Sequence, residues 1–526
     1  MSAPTKHFNS TRRPPEFYLT VWLTIVAAML DLFFYLRAGG LWRDEINSVN
    51  IGLGAWANLT HDSFPVFFPL CLRFFGWLGL SDWRLLGLWV GWSMLAALWV
   101  AARWTRRAPP IWAIIFVGMN AWAINYTASL RAYGLGSVWI ILNFGATWRF
   151  LEIPSKRNWL ILAASAVLSV QTLFHNTALV GAISLAGITV AWLGNNRRCA
   201  AELFLAGLIA AVSLLPYWHS ITGITAYTVL KRDFFDLPSA WTSFQTMLAF
   251  PLDQYLWVAC GLTLWAIALG LRGLKKNMSP EVSCFAAATL VLAIILYFAF
   301  LQKANYYVQT WYFLPLFTLA GICLEACLPR PVGKWRAPIF GGLLATALVS
   351  SAFSVRLLDW QMTNVDQLAH RIAKEADPQD FVLIKTWTYG QTFGHYFTGA
   401  SAWSTVPPIS DLKTARLDLF LEQTKKTNAM QPVLVRLEKT LRAEHRIWIV
   451  GNFTGWDQPY PAAKSIPVGW NEITGSQFNQ SVNDFLRAHC RRIERLDAGT
   501  NENVNYNERA ALFQCSGWRD EPARTN

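Results

Sequence analysis

The stretch "LWRDEINSVN", beginning at Leu41, sets Arg43, Asp44 and Glu45 side by side just after a long apolar run. A carboxylate held beside a reacting hydroxyl can take its proton as a bond forms. A guanidinium can grip a phosphate through two parallel N–H groups. Further polar groups recur at the margins of other apolar runs: His61 and Asp62 ahead of a proline-bearing stretch, Arg131 and Tyr133, His175 and Asn176, and Lys303. Ionisable groups near membrane spans are functional-site candidates by default, and together these acids and bases could handle an anion and a proton. Each has a plainer reading: two solvated loop acids, a snorkelling interfacial Arg131, a packed histidine, a loop lysine. His61 and Asp62 could also ligate a divalent ion with Asp44, but so few ligands without helical spacing leave the metal unknown.

Such groups need elements to hold them. The 526 residues are 54% hydrophobic and only 15% charged, with a mean hydropathy of +0.28, whereas a soluble domain carries about 25% charged residues. The 28 Trp and 33 Phe suit a chain with many membrane interfaces, where aromatic rings sit at headgroup level. This composition predicts a polytopic α-helical protein in a lipid bilayer. The net charge of +13 does not point to nucleic acid, because the basic residues lie in short clusters between apolar runs and not along one soluble face. Runs long enough to span, roughly 20 apolar residues, fall near 17–36, 84–103, 110–127, 132–149, 158–174, 176–193, 200–218, 254–271, 282–301, 309–328 and 337–356, eleven in all. A twelfth candidate, "SFPVFFPLCLRFFGWLGL" at 63–80, carries Pro65, Pro69 and Arg73. With eleven spans, one side collects the clusters around Arg12, Arg106, Arg157, Arg197, Lys275 and Lys334, which is the positive-inside pattern; a twelfth span would break it. Residues 63–80 are therefore read as an amphipathic helix on the outer surface. The N-terminus is then cytoplasmic and the loop 37–83 faces outward. No cleavable signal peptide is expected, since the first apolar run is too long for one.

Two domains are expected: a membrane core over 1–356 and an extracytoplasmic α/β domain over 357–526. In the second, "DFVLIK", "PVLVRL" and "HRIWIV" read as strands, and segments near 364–376, 411–427 and 481–493 as helices. It carries neither GxGxxG nor a P-loop, so nothing marks a nucleotide site. The eight cysteines lack metal-ligand spacing. Cys490, at a helix end, and Cys515, after the strand-like "AALFQ", are expected to come within the roughly 4.4–6.8 Å that a disulfide demands. The alternative is two unpaired thiols.

The order of these segments resembles the glycosyltransferase C superfamily (GT-C), in the branch of the protein O-mannosyltransferases and the lipid A aminoarabinose transferase. The resemblance covers about 1–356. It rests on a first span followed by "RDE", then a Pro-bearing helix ending "FFGWLGLSDWRLLG", in which Gly76, Ser81, Trp83 and Arg84 match. It continues through "SLRAYGLG" (Arg131, Tyr133), "LFHN" (His175) and "YYVQTWYFLPLFTLAGICLEA" (Tyr312, Pro315). The chain departs from the pattern at Trp311, where the family often has Arg, and at "HDSFP", which is shifted and carries the extra Asp62.

The resemblance implies an integral-membrane glycosyltransferase of the bacterial cytoplasmic (inner) membrane. It would move a sugar from a polyprenyl-phosphate donor to an extracytoplasmic lipid, glycan or protein acceptor. Asp44 is then the candidate base, with Glu45 orienting it or the acceptor. Arg131, with Tyr133, His175 and Lys303, is the candidate contact to the donor phosphate, where leaving charge must be stabilised. Direct displacement would invert the anomeric centre. No nucleotide enters. A divalent ion is a candidate cofactor, because some members of the superfamily use metals. The rival class is a transporter or flippase of lipid-linked sugars; such proteins tend to place ionisable groups at the membrane midplane and to show internal repeats, neither of which this sequence displays.

Overall fold

The computed structural model describes residues 14–56, 59, 64–106, 108–217, 235–249, 261, 264–265, 268, 282–305, 308–328, 334, 336–451, 476–497 and 503–520. The first part is a helical bundle: α1 (Pro15–Arg37), α2 (Arg43–Leu53), α3 (Phe67–Trp77), α4 (Trp83–Arg106), α5 (Ile111–Gly118), α6 (Ala121–Ala128), α7 (Ala132–Glu152), α8 (Lys156–Thr172), α9 (Asn176–Leu193), α10 (Arg197–Val212), α11 (Leu237–Ala249), α12 (Val282–Ala304), α13 (Leu314–Cys327) and α14 (Arg336–Leu358). Among the described residues, seven helical segments are long and apolar enough to cross a membrane, or eight if the bent pair α5–α6 is one span. The chain is a polytopic membrane protein.

These seven are the expected runs at 17–36, 84–103, 176–193, 200–218, 282–301, 309–328 and 337–356. The segment at 110–127 breaks into α5 and α6, which meet at 73°. A π-turn closes α5, and Asn120, whose side chain accepts from the Ala123 amide, starts α6 as a fresh helix. The segments at 132–149 and 158–174 are helices, but α7 is less apolar than a span, and α8, at 17 residues, is shorter than one. The run at 254–271 lies outside the described residues, apart from isolated helical positions. Residues 63–80 contain α3, only 11 residues long, too short to span.

Small residues let the helices approach closely, as membrane bundles require. A Cβ at Gly87 of α4 would collide with the Ala128 carbonyl of α6, and one at Gly145 of α7 would sit 2.9 Å from the Ala101 backbone of α4. Helices α1 and α14 run parallel. Glu16 pairs with Arg336 at 2.7 Å where both begin, and Arg37 pairs with Asp359 at 2.6 Å where both finish. The beginning of α1 therefore marks one end of the bundle, and the Arg43–Asp44–Glu45 turn follows directly from the other.

The second part is a mixed five-stranded sheet in the order β2-β1-β3-β5-β4, built from β1 (Phe381–Ile384), β2 (Ala402–Thr405), β3 (Ile447–Val450), β4 (Cys490–Leu496) and β5 (Leu512–Trp518). Strands β2, β1 and β3 are parallel, and β5 is antiparallel to both β3 and β4. Helices flank both faces. Phe381, Leu383, Ile447 and Ile449 pack toward α17 (Leu417–Thr424), α18 (Gln431–Arg442) and α19 (Ser476–His489). Val382, Ile384, Trp448 and Val450 pack toward α15 (Val365–Glu375) and α16 (Tyr389–Tyr396). Central strands covered on both faces read as unbroken apolar runs, which is why "FVLI" and "IWIV" were legible. "PVLVRL" is corrected from strand to helix α18: Val433, Leu437 and Leu441 are its buried face, spaced by four, with Pro432 in the first turn, where proline is tolerated. The helix expected at 481–493 stops at His489, and Cys490 begins β4. Cys490 and Cys515 do meet, joined by a side-chain hydrogen bond, but both are free thiols. The expected disulfide is not formed.

Candidate active site

Helix α2 opens with Arg43, Asp44 and Glu45 in its first turn, where acidic side chains complement the helix dipole. Successive residues of an α-helix point about 100° apart, so the two neighbouring acids face different surroundings. Glu45 is fully buried. Its Oε2 accepts from the Trp42 amide at 3.2 Å, as a helix N3 glutamate does when it caps the N-terminus. Its Oε1 accepts from Arg84 Nη1 at 2.6 Å, the Leu130 amide at 2.9 Å and Ser129 Oγ at 3.2 Å. Arg84 also donates to the Gly40 carbonyl at 2.6 Å. Glu45 thus ties α2 to α4 and to the turn between α6 and α7.

Asp44 points elsewhere. Its side chain is 33% exposed, with Arg43 Nε at 3.6 Å and Arg131 Nη2 at 3.8 Å. These are ion-pair separations too long for hydrogen bonds, so both guanidinium groups attract the carboxylate without closing it off. Arg131, at the start of α7, is held by the Asp44 carbonyl at 2.9 Å and Ser48 Oγ at 3.0 Å, and lies 4.4 Å from the Phe64 ring centroid.

Other expected residues sort around this pair. Tyr133 shares a side-chain hydrogen bond with Tyr312 and packs edge-on against Phe64 at 5.4 Å. His175 is buried beneath them, in ring contact with Tyr133, Tyr297, Phe300 and Tyr312. Lys303 is exposed in the last turn of α12, and among the described residues no contact joins it to the site. Trp311 packs on Trp42 at 6.1 Å and on Tyr126 at 5.6 Å, so an aromatic wall stands where a cation was sought. His61 and Asp62 lie outside the described residues. Among the described residues no group of three or more His, Cys, Asp or Glu is placed to hold a metal ion.

The C-terminal part supplies residues that sequence reading missed. A narrow cleft, with a cavity volume of about 10 Å³, is lined by Arg131, Tyr133, Trp42 and Trp311 from the bundle, and by Asn505 and Asn507 from beyond the last α-helix. Glu508, fully buried, accepts from the Arg43 amide at 3.2 Å and from Thr392 Oγ1 at 2.9 Å. Burial pushes its carboxyl up to about 8, against the pull of Arg43. Arg43 Nη1 reaches the Asn507 carbonyl at 3.3 Å, and the Leu41 amide donates to Tyr396 Oη at 2.7 Å. Farther along α2, Asn47 Oδ1 accepts from the Ala415 amide at 2.8 Å. "VNYNE" carries no local signal of this role; only the fold brings it to α2.

No protein-family model matches the chain, and no curated protein does. Among solved structures, the crystal structure of ArnT from Cupriavidus metallidurans bound to undecaprenyl phosphate aligns with a TM-score of 0.47 and 13% sequence identity, over 83% of this chain and 92% of that one.

Proposed function

We propose that this protein is an integral-membrane glycosyltransferase that moves a sugar from a polyprenyl-phosphate donor to an extracytoplasmic acceptor, working at the cleft beside Asp44 and Arg131. One observation carries the reading: a carboxylate one-third exposed and a largely buried guanidinium stand 3.8 Å apart at the end of a membrane bundle, beside an aromatic-lined cleft. The acceptor hydroxyl attacks the anomeric carbon and gives its proton to Asp44. The bond from that carbon to the phosphate oxygen breaks, and its electron pair leaves with the lipid phosphate. Arg131 meets the charge that gathers there, the kind of fixed stabilisation that lowers such barriers. Attack opposite the leaving group inverts the anomeric centre. Glu45, with its full set of donors, positions α2 and not the substrate. Tyr133 orders the floor of the cleft, with His175 beneath it. The basic clusters support a cytoplasmic N-terminus and an extracytoplasmic α/β domain in a bacterial cytoplasmic membrane.

Lipid extracts from cells lacking the gene test this reading. A polyprenyl-phosphate-linked sugar should accumulate in them and fall back when the wild-type gene is restored. Extracts identical to those of the parent would count against it, and accumulation in only one leaflet, with transfer intact in broken membranes, would favour a flippase.

A further inference from the structure

The residues of α2 divide among three surroundings at helical spacing. Glu45 docks on the bundle, while Asp44 and Ser48 face Arg131. Arg43, Asn47 and Asn50 lie along one stripe of the helix, and all three bond to the C-terminal part. Asn47 Oδ1 accepts from the Ala415 amide at 2.8 Å, and Asn50 Nδ2 donates to the Lys413 carbonyl at 2.5 Å. Arg43 is held more fully. Its amide donates to Glu508 Oε2 at 3.2 Å, and its Nη1 donates to the Asn507 carbonyl at 3.3 Å and to Thr388 Oγ1 at 3.4 Å. Thr388 is the N-cap residue of α16, yet its side chain does not cap that helix. A threonine in that place ordinarily accepts from an amide of the first turn; this hydroxyl accepts from Arg43 instead. So held, the guanidinium stands with Nε 3.6 Å from Asp44 Oδ1, and Arg131 Nη2 stands 3.8 Å from the other oxygen, Oδ2. Each carboxylate oxygen has one cation near it, and neither cation is close enough to donate to it.

We propose that Arg43 is a positioning residue through which the C-terminal domain sets the base. Thr388 and the Asn507 carbonyl hold its guanidinium near enough to Asp44 to orient the carboxylate by charge, and too far away to occupy the oxygen that takes the acceptor's proton. The gap exceeds a hydrogen bond by only about half an ångström, so an arginine released from these two acceptors is free to turn and donate to Asp44 directly. A carboxylate engaged by such a charge-assisted bond is a poorer proton acceptor. The inference rests on the transferase reading and adds to it: the α/β domain contributes to turnover from outside the bundle, by restraining one side chain beside the base.

The test measures sugar transfer by the full-length protein in lipid vesicles, from a panel of polyprenyl-phosphate hexoses and pentoses to acceptors in an envelope extract. It compares the wild type with Arg43→Gln, Arg43→Lys, Thr388→Val and the double variant Arg43→Gln/Thr388→Val. Thr388→Val and Arg43→Gln should each lower kcat about tenfold, a scale common for residues coupled by direct contact, with donor KM and melting temperature unchanged. Arg43→Lys should recover part of the loss, because an ammonium keeps the charge but lacks the planar fork. The double variant should be no slower than Arg43→Gln alone, because Thr388 acts only through Arg43. The positioning role is overturned if both single variants keep the wild-type kcat, if their losses multiply in the double variant, or if kcat falls only in step with melting temperature. Thr388→Val leaves every charge in place and decides the matter by itself should Arg43→Gln fail to fold. A wild type that transfers nothing overturns the transferase reading and this role with it, whereas an active wild type matched by its variants removes this role alone.

Discussion

At the scale of single residues, the question is how two adjacent acids divide their work. Glu45 has four donors around it and no exposure; Asp44 has two arginines beyond hydrogen-bonding distance and a third of its surface open. Asp44→Asn should therefore fold normally and lower sugar transfer by about 10²-fold or more, the scale of general-base catalysis, measured with donor saturating. Near-normal turnover would remove Asp44 from the chemistry. Arg84→Ala should act on stability instead. It leaves Glu45 as a buried charge without its guanidinium, a loss of about 3–5 kcal/mol, read as a lower melting temperature and less folded protein. An unchanged melting curve would mean that the pair does not hold α2. Arg131→Ala should weaken use of the donor lipid, with only partial recovery in Arg131→Lys, because an ammonium lacks the planar fork. Normal donor kinetics in Arg131→Ala would shift the phosphate contact elsewhere. The sequence placed Asp44, Arg131 and Tyr133 in one neighbourhood. Its division of roles, Asp44 as base and Glu45 as orienting group, came from the family resemblance and not from local pattern, because the surroundings of the two acids depend on where α2 begins and on Arg84, 39 positions downstream of Glu45.

At the scale of elements, α2 is a clamp between two bodies of structure. Glu45 ties its first turn to the bundle, and Glu508 ties the same turn to the α/β domain. Gly40 makes this approach possible: a Cβ there would lie 2.6 Å from Asp366 Oδ2. Glu508 gives the clamp a pH dependence. Its folded value, raised to about 8 by burial, lies above its ordinary 4.5, so the folded state holds the proton more tightly than the unfolded one. The stabilising contribution is fully present below about 4.5 and is lost progressively as pH rises toward 8. The melting temperature of the wild type should fall across that window, and Glu508→Gln should flatten the fall. If both proteins show the same slope, the dependence comes from other groups. Element types were legible where periodicity was clean, as in "FVLI" and "IWIV". "PVLVRL" misled because its β-branched residues outweighed a spacing of four that becomes clear only when Leu437 and Leu441 are included. The break in 110–127 was hidden because Asn120 caps a helix inside an apolar run.

At the scale of the whole molecule, the parallel pairing of α1 with α14 fixes the frame: ion pairs at both ends hold the first and last described bundle helices side by side. Composition and the apolar runs showed a membrane protein with a polar tail. They did not show that the tail closes over the site, since contacts such as Arg43 with Glu508, 465 positions apart, leave no trace in local pattern. The cleft is lined from both halves, so the chemistry proposed at Asp44 would draw on each of them. The most direct test is transfer by the purified, full-length protein in lipid vesicles, given polyprenyl-phosphate donors with radiolabelled sugars and an envelope extract as the source of acceptor. The account predicts label moving from the lipid phosphate to an acceptor, with inversion at the anomeric carbon, in the wild type and at a rate about 10²-fold lower in Asp44→Asn. Wild-type protein that binds these donors yet leaves every label on the lipid, or Asp44→Asn that transfers as fast as the wild type, would contradict it.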